Sequence, residues 1–154
     1  MDWQIQLQII GEIALAMLLG GLIGIERELS HKPAGFRTQM LVAGSAALLM
    51  RLGDVLLVHF NAGNHLIGLN MDPGRIIQAI ITGISFLGAG TIIRSRQTEH
   101  VEGLTTAASI LLSSAIGISI ALHQFILGIG VTVLSIIVLS GLRFIEKWIR
   151  RKEK

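Results

Sequence analysis

Two kinds of residue in this chain have the chemistry to handle protons or cations in apolar surroundings. One is a carboxylate, Glu12; the other is a set of hydroxyl and amide side chains repeated at helical spacing. Arg75, Gln78, Thr82, Ser85 and Ala89 follow an i, i+3, i+4 rhythm and therefore share a helix face. Thr105, Ser109, Ser113 and Gly117 recur every four residues, with Thr106 beside them. Two such faces on adjacent antiparallel helices can line a narrow polar path. They can equally hold helices together by hydrogen bonds, which is the commoner use of Ser and Thr in membranes. Glu12 shares its face with Ala16, Gly20 and Gly24, and small residues there imply a close helix neighbour, so Glu12 is expected to point at protein. An ionisable group inside an apolar segment is a functional candidate by default, here for a proton or a cation. The bland alternative is that Glu12 lies within two turns of the interface and reaches water.

The elements that position these residues are set by composition. Of 154 residues, 51% are hydrophobic and 15% charged, against about 25% charged in an average soluble domain. The apolar runs do not alternate with polar faces as soluble strands or helices do. Eighteen glycines against two prolines suit membrane helices that approach closely. Five runs approach the roughly 20 residues that a span requires: residues 5–25, 38–60, 76–93, 104–122 and 125–145. The second is interrupted by Arg51 and Asp54, which stand three apart and can pair on one helix face. The expected fold is an all-α integral membrane bundle of about five transmembrane helices. Its transmembrane domain covers 1–146, followed by a basic tail over 147–154 suited to an anionic cytoplasmic leaflet.

Orientation follows from lysine and arginine placement. Arg27, Lys32 and Arg37 lie in the first loop, Arg94 and Arg96 in the third. Arg143, Lys147, Arg150, Arg151, Lys152 and Lys154 lie at the end. Setting Arg51 aside, eleven cations fall on that side against one, Arg75, on the other. Five spans with the N-terminus outside and the C-terminus cytoplasmic satisfy every loop. No basic residue precedes the first apolar run and no small-residue cleavage pattern follows, so that run is expected to be retained as a helix. The chain has no cysteine, which makes the topology testable by introducing one at a time. Cysteines at Asp2, Asn64 and Gln124 should react with an impermeant thiol reagent from outside, and those at Lys32, Gln97 and Lys152 should not. External labelling at Lys32 would overturn the five-span arrangement.

Several function classes recede on the same residues. Carboxylates do not cluster within a span and the histidines lack ligand spacing, so no metal site is expected. No serine has a base and an oxyanion site suggested by spacing, so an enzyme is not expected and neither is a cofactor. The run from Gly83 through Gly88 to Gly90 lacks the lysine of a phosphate loop and sits in an apolar segment, where helix packing is the better reading. The cations flank apolar runs with no interleaved aromatics, which argues against a nucleic-acid partner. Gly20, Gly24, Gly83, Gly88 and Gly90 are the expected packing positions.

Three stretches in order, "GGLIGIERELSHKPAGFRTQMLVAGSA", "DPGRIIQAIITGISFLGAG" and "VEGLTTAAS", with the short gaps between them, resemble the MgtC/SapB family of bacterial inner-membrane proteins. The likeness runs from about Leu18 to about Gly117. The positions matching its motifs are Glu26, Arg27, Pro33, Gly35, Arg37 and Thr38, then Asp72, Pro73, Arg75, Gly83, Gly88 and Gly90, then Gly103, Leu104, Thr105 and Thr106. The resemblance implies a small multi-pass protein of the plasma membrane, linked to growth in low magnesium and to virulence. It further implies either magnesium transport or regulation of another inner-membrane complex such as the proton ATP synthase. Homo-oligomerisation is compatible with it. Many members continue into a soluble cytoplasmic domain, and this chain is expected to lack it. Ser85 stands where a glycine is usual, and the tryptophan often found after the Gly-Leu-Thr-Thr-Ala-Ala motif is missing. Pro33 and Gly35 punctuate the first loop as turn residues. Glu26, Arg27 and Arg37 at its borders, with Arg94, Glu99 and Glu102 of the third loop on the same side, are expected either to pair and hold the helix ends together or to present a cytoplasmic docking or ion-entry surface.

Overall fold

The computed structural model describes the backbone of residues 3–62, 72–94 and 101–152, with side chains over the same segments except 59–62, 93–94 and 142–152. Five helices run through it: α1 (Trp3–Leu29), α2 (Phe36–Ala62), α3 (Pro73–Ala89), α4 (Leu104–Ala121) and α5 (Phe125–Lys152). Between α3 and α4, β1 (Ile93–Arg94) and β2 (Val101–Glu102) pair antiparallel, Ile93 opposite Glu102 and Arg94 opposite Val101. The all-α bundle expected from hydropathy is the architecture observed. Arg96, Glu99, Lys154 and the labelling positions Asp2, Asn64 and Gln97 lie outside the described residues. So do the side chains of Arg94, Arg143, Lys147, Arg150, Arg151 and Lys152.

Local chemistry explains where α3 begins and ends. Asp72 caps it, its Oδ1 accepting from the Gly74 amide at 2.8 Å, with Pro73 at the first helical position, where its missing N–H costs nothing. The expected third span, 76–93, ends too late. The helix stops at Ala89, and the Thr91 amide donates to the Gly88 carbonyl at 2.9 Å in a turn that feeds β1. Gly103 returns the chain from β2 into α4 at φ 91°, with its α-carbon against the Thr91 backbone. A side chain there would be strained in conformation and would strike the Thr91 carbonyl.

α1, α2 and α4 form the centre, with α3 laid on α4 and α2, and α5 on α1 and α4. The core is aliphatic and small: Ala16, Leu19, Ile23, Ala46, Ala47, Met50, Ile116 and Ile120. Glycines set how closely the central helices approach. A Cβ on Gly24 would lie 2.6 Å from the Phe36 Cα, one on Gly20 2.7 Å from the Ala43 Cβ, and one on Gly44 2.6 Å from the Met17 Cγ. α1 and α2 are thereby locked antiparallel along their shared length. Along the same stretch of α2, Gly117 of α4 sits against the Ala43 carbonyl.

The outward faces are apolar. Leu18 and Leu22 of α1, Leu41 and Leu48 of α2, and Ile126, Val133 and Ile137 of α5 are all exposed. That is the arrangement of a protein whose surroundings are lipid, where small residues face inward and large apolar ones outward. Trp3–Leu29, Phe36–Val58 and Leu104–Ala121 are long and apolar enough to cross a bilayer, while Pro73–Ala89 and Phe125–Gly141 are apolar but shorter.

Candidate functional site

The α1–α2 register carries Glu12 to Arg51. Glu12 is buried, 5% exposed, and its Oε2 lies 3.0 Å from the Arg51 Nε. The Gln8 amide donates to Glu12 Oε1 at 3.1 Å from one turn away. His123, in the turn between α4 and α5, brings Nδ1 to 3.4 Å of the same oxygen and pairs with it ionically when protonated. Its backbone takes φ 59° to make that turn, and its ring packs edge-on to Phe125 with centroids 5.8 Å apart. Arg51 Nη1 also reaches Asp54 Oδ2 at 3.3 Å, the i, i+3 pair expected from spacing. A groove of about 260 Å³, lined by Gln6, Ile9, Ile13, Leu52 and Arg51 among others, opens beside the cluster.

This geometry constrains the chemistry available to Glu12. A guanidinium held against a buried carboxylate satisfies its charge inside the protein. A divalent cation would have to displace Arg51 and find further oxygen ligands, and no group of three or more His, Asp or Glu that could hold a metal occurs among the described residues.

Towards the α1–α2 turn, the polar residues of α4 meet α2. Gln39, fully buried, donates from Nε2 to Ser109 Oγ at 2.9 Å and to the Ala34 carbonyl at 3.2 Å. Ser109 in turn donates to the Thr106 carbonyl at 2.8 Å. Thr106, Ser109 and Ser113 are buried, whereas Thr105 faces outward. Among the described residues, Ser113 Oγ and Gln39 Oε1 have no hydrogen-bond partner. Gln39 thus ties the α4 stripe to the loop that begins α2.

The loop motif divides into an inner and an outer part. Glu26 and Arg27 are buried, 7% and 4% exposed, and lie 3.7 Å apart, with Ser30 donating to Glu26 Oε1 at 2.7 Å. Burial follows from Gly24, which draws the start of α2 over the end of α1. Glu28 accepts from the Phe36 amide at 3.1 Å and so caps α2 from the preceding helix. Gly35 faces this carboxylate, whereas Pro33, Arg37 and Thr38 are exposed. Of the two alternatives, Glu26 and Arg27 take the first, interior and side by side, while Arg37 and Thr38 are exposed.

The two hydroxyl stripes do not face each other. Arg75, Gln78, Thr82, Ser85 and Ala89 are exposed, and Thr82 donates to the Gln78 carbonyl of its own helix at 2.8 Å. α3 meets α4 instead through Gly88, whose Cβ position is 3.5 Å from the Ala107 Cβ. Gly83 has nothing within 4 Å, and Gly90 meets carbonyls of its own helix. Neither makes the interhelical approach expected of it, although Gly83 stands one turn from the buried Ile80.

Arg51 and His123 are the partners that spacing alone did not assign to Glu12. The available signal was Arg51 itself: a lone cation inside an apolar span needs an acid, and Glu12 stands near the same end of the antiparallel neighbour.

A family model described as the MgtC family matches residues 13–148. The chain is 33% identical over 146 residues to an uncharacterized protein of Haemophilus influenzae, covering 95% of this chain and 60% of that one. It is 36% identical over 128 residues to the putative magnesium transporter YhiD of Escherichia coli, covering 83% and 57%. With protein MgtC of Brucella abortus it shares 41% over 106 residues, covering 69% and 39%. The chain thus spans about 60% of the length of the first two relatives. No solved structure matches it.

Proposed function

The chain belongs to the MgtC family of bacterial membrane proteins, and we propose that it is a non-enzymatic regulator of the inner membrane, acting on another membrane complex in magnesium-limited growth. The observation that supports this reading is the state of Glu12. Glu12, a buried carboxylate inside the α1 span, is engaged by Arg51 and Gln8 and faced by His123. A transport route would instead offer carboxylates or carbonyls open to the ion near mid-span. The buried hydroxyls support it too, because Gln39 of α2 donates to Ser109 of α4 across a glycine-packed seam, and Ser109 donates to the Thr106 carbonyl of its own helix. The exposed Arg37 and Thr38 then offer the docking surface.

The second reading is transport of Mg²⁺ or protons, and the name of the Escherichia coli relative, putative magnesium transporter YhiD, favours the first of these. Flux through purified protein in liposomes separates the two. A regulator gives no Mg²⁺ or proton flux above protein-free vesicles. At equal membrane levels, Arg37→Glu should then abolish the low-magnesium growth phenotype while Glu12→Gln, which keeps the shape and a hydrogen-bond acceptor, retains most of it. Flux that is lost on Glu12→Gln and survives Arg37→Glu would establish transport.

A further inference from the structure

α3 is the reverse of its neighbours. Its inward side is apolar, with Ile80 and Gly88 buried and Ile76, Ile77 and Ile84 half-buried. Its outward side carries Arg75, Gln78, Thr82 and Ser85, where α1, α2 and α5 turn leucine, isoleucine and valine outward. Seventeen residues make a helix of about 26 Å, so a stripe extending over most of it cannot sit wholly at one interface. The Thr82 hydroxyl is satisfied within the helix. Among the described residues the Gln78 amide, the Ser85 hydroxyl and the Arg75 guanidinium have no hydrogen-bond or ion-pair partner. Hydrocarbon satisfies neither Gln78 nor Ser85, and leaving an amide unsatisfied there costs several kcal/mol. The face calls for polar protein.

The side chains also indicate which protein. A glutamine amide both donates and accepts, so it complements a copy of itself across a two-fold axis. Asp72 and Arg75, of opposite charge, stand one turn apart at the start of the helix. Two copies inserted the same way up place Asp72 of one beside the partner's Arg75. Ala89 on this face is small, leaving room for close approach, while Phe86, 85% exposed, supplies an apolar flank. We propose that the outer face of α3 is a self-association surface, on which a second copy of this chain docks in the bilayer through Gln78, Ser85 and the reciprocal Asp72–Arg75 pairs.

Single cysteines test this directly in native membranes, since the chain has none of its own. Thr82→Cys and Ser85→Cys should cross-link to dimers under mild oxidation, and Val133→Cys, on the exposed face of α5, should stay monomeric. Monomers at both α3 positions, equal cross-linking at Val133, or capture of a different protein by the α3 cysteines would each overturn the proposal. The second measurement is energy transfer between labelled copies diluted in lipid. Gln78→Leu should weaken dimerisation about tenfold, as expected for two lost interhelical hydrogen bonds. It should not lower the melting point of the diluted protein, because Gln78 has no partner within one copy. An unchanged dimer affinity would also overturn the proposal.

Discussion

Gly117→Leu is expected to eliminate folded protein from the membrane. The Gly117 α-carbon lies against the Ala43 carbonyl, and the Cβ of any side chain would fall inside that oxygen's contact distance. The neighbour is backbone, so no rotamer change relieves the clash. α2 has little freedom to retreat, because a Cβ on Gly20 of α1 would lie 2.5 Å from the Gln39 carbonyl one turn away. The segment from Gln39 to Ala43 is held between two glycines on two helices. Overpacking an ordinary core costs about 1–3 kcal/mol, and a collision with backbone exceeds that, against a total stability of about 5–15 kcal/mol. Gly20→Leu should fail in the same way. Gly83→Leu and Gly130→Leu, with nothing within 4 Å, should extract and melt like the parent protein or slightly above it, since leucine is the better helix former by about 1 kcal/mol. Monodisperse yield in detergent and the melting midpoint check all four. A Gly117→Leu protein that melts with the parent would mean that α2 and α4 do not pack as described.

The contrast between Gly20 and Gly83 also shows what the amino-acid order could reveal. Both stand in small-residue patterns, and the helix period assigns each to a face. Gly20 packs because α2 lies against it, while nothing comes within 4 Å of a Cβ on Gly83, though it stands one turn from the buried Ile80. Period identifies a face; it does not say which neighbour, if any, that face meets. The same gap explains the stripes on α3 and α4, correctly grouped by spacing and yet directed to different surroundings. Helix number and approximate extent were readable because apolar runs must approach bilayer length. The two-residue strands were not, since four residues leave no period, and the Gly90–Thr91 turn lies inside a run of otherwise apolar character. The Glu12–Arg51 pair depended on the register of two helices, which glycine contacts set and hydropathy does not encode.

Replacing Arg51 by methionine is the second change with a large expected effect. It leaves the Glu12 carboxylate buried without its guanidinium, and removing one partner of a buried ion pair costs about 3–5 kcal/mol. His123 and Gln8 remain near Oε1, but neither replaces the contact at Oε2. Asp54 is the more exposed acid of the three-residue network and can turn to water. The melting midpoint of Arg51→Met should therefore fall by about 10 °C. Adding Glu12→Gln should recover most of the loss, because the uncompensated charge disappears with its partner. Recovery is the informative outcome, since contacting residues are expected to couple. Strictly additive losses would show that Arg51 matters for its packing and not for its charge.

The Glu12–Arg51 contact also bears on how the chain enters the membrane during synthesis. Glu12 emerges from the ribosome 39 residues before Arg51. On insertion scales a carboxylate or guanidinium at the centre of a lone apolar helix costs about 2.5–3.5 kcal/mol. Neither α1 nor α2 enters lipid at full advantage alone. Together, joined by a turn of six residues between Leu29 and Phe36 and closed by Gly20, Gly24 and Gly44, they carry opposite charges that meet. The favourable insertion unit is thus the helical hairpin of the first 62 residues. Its second half must be translated before the first is committed to the hydrocarbon.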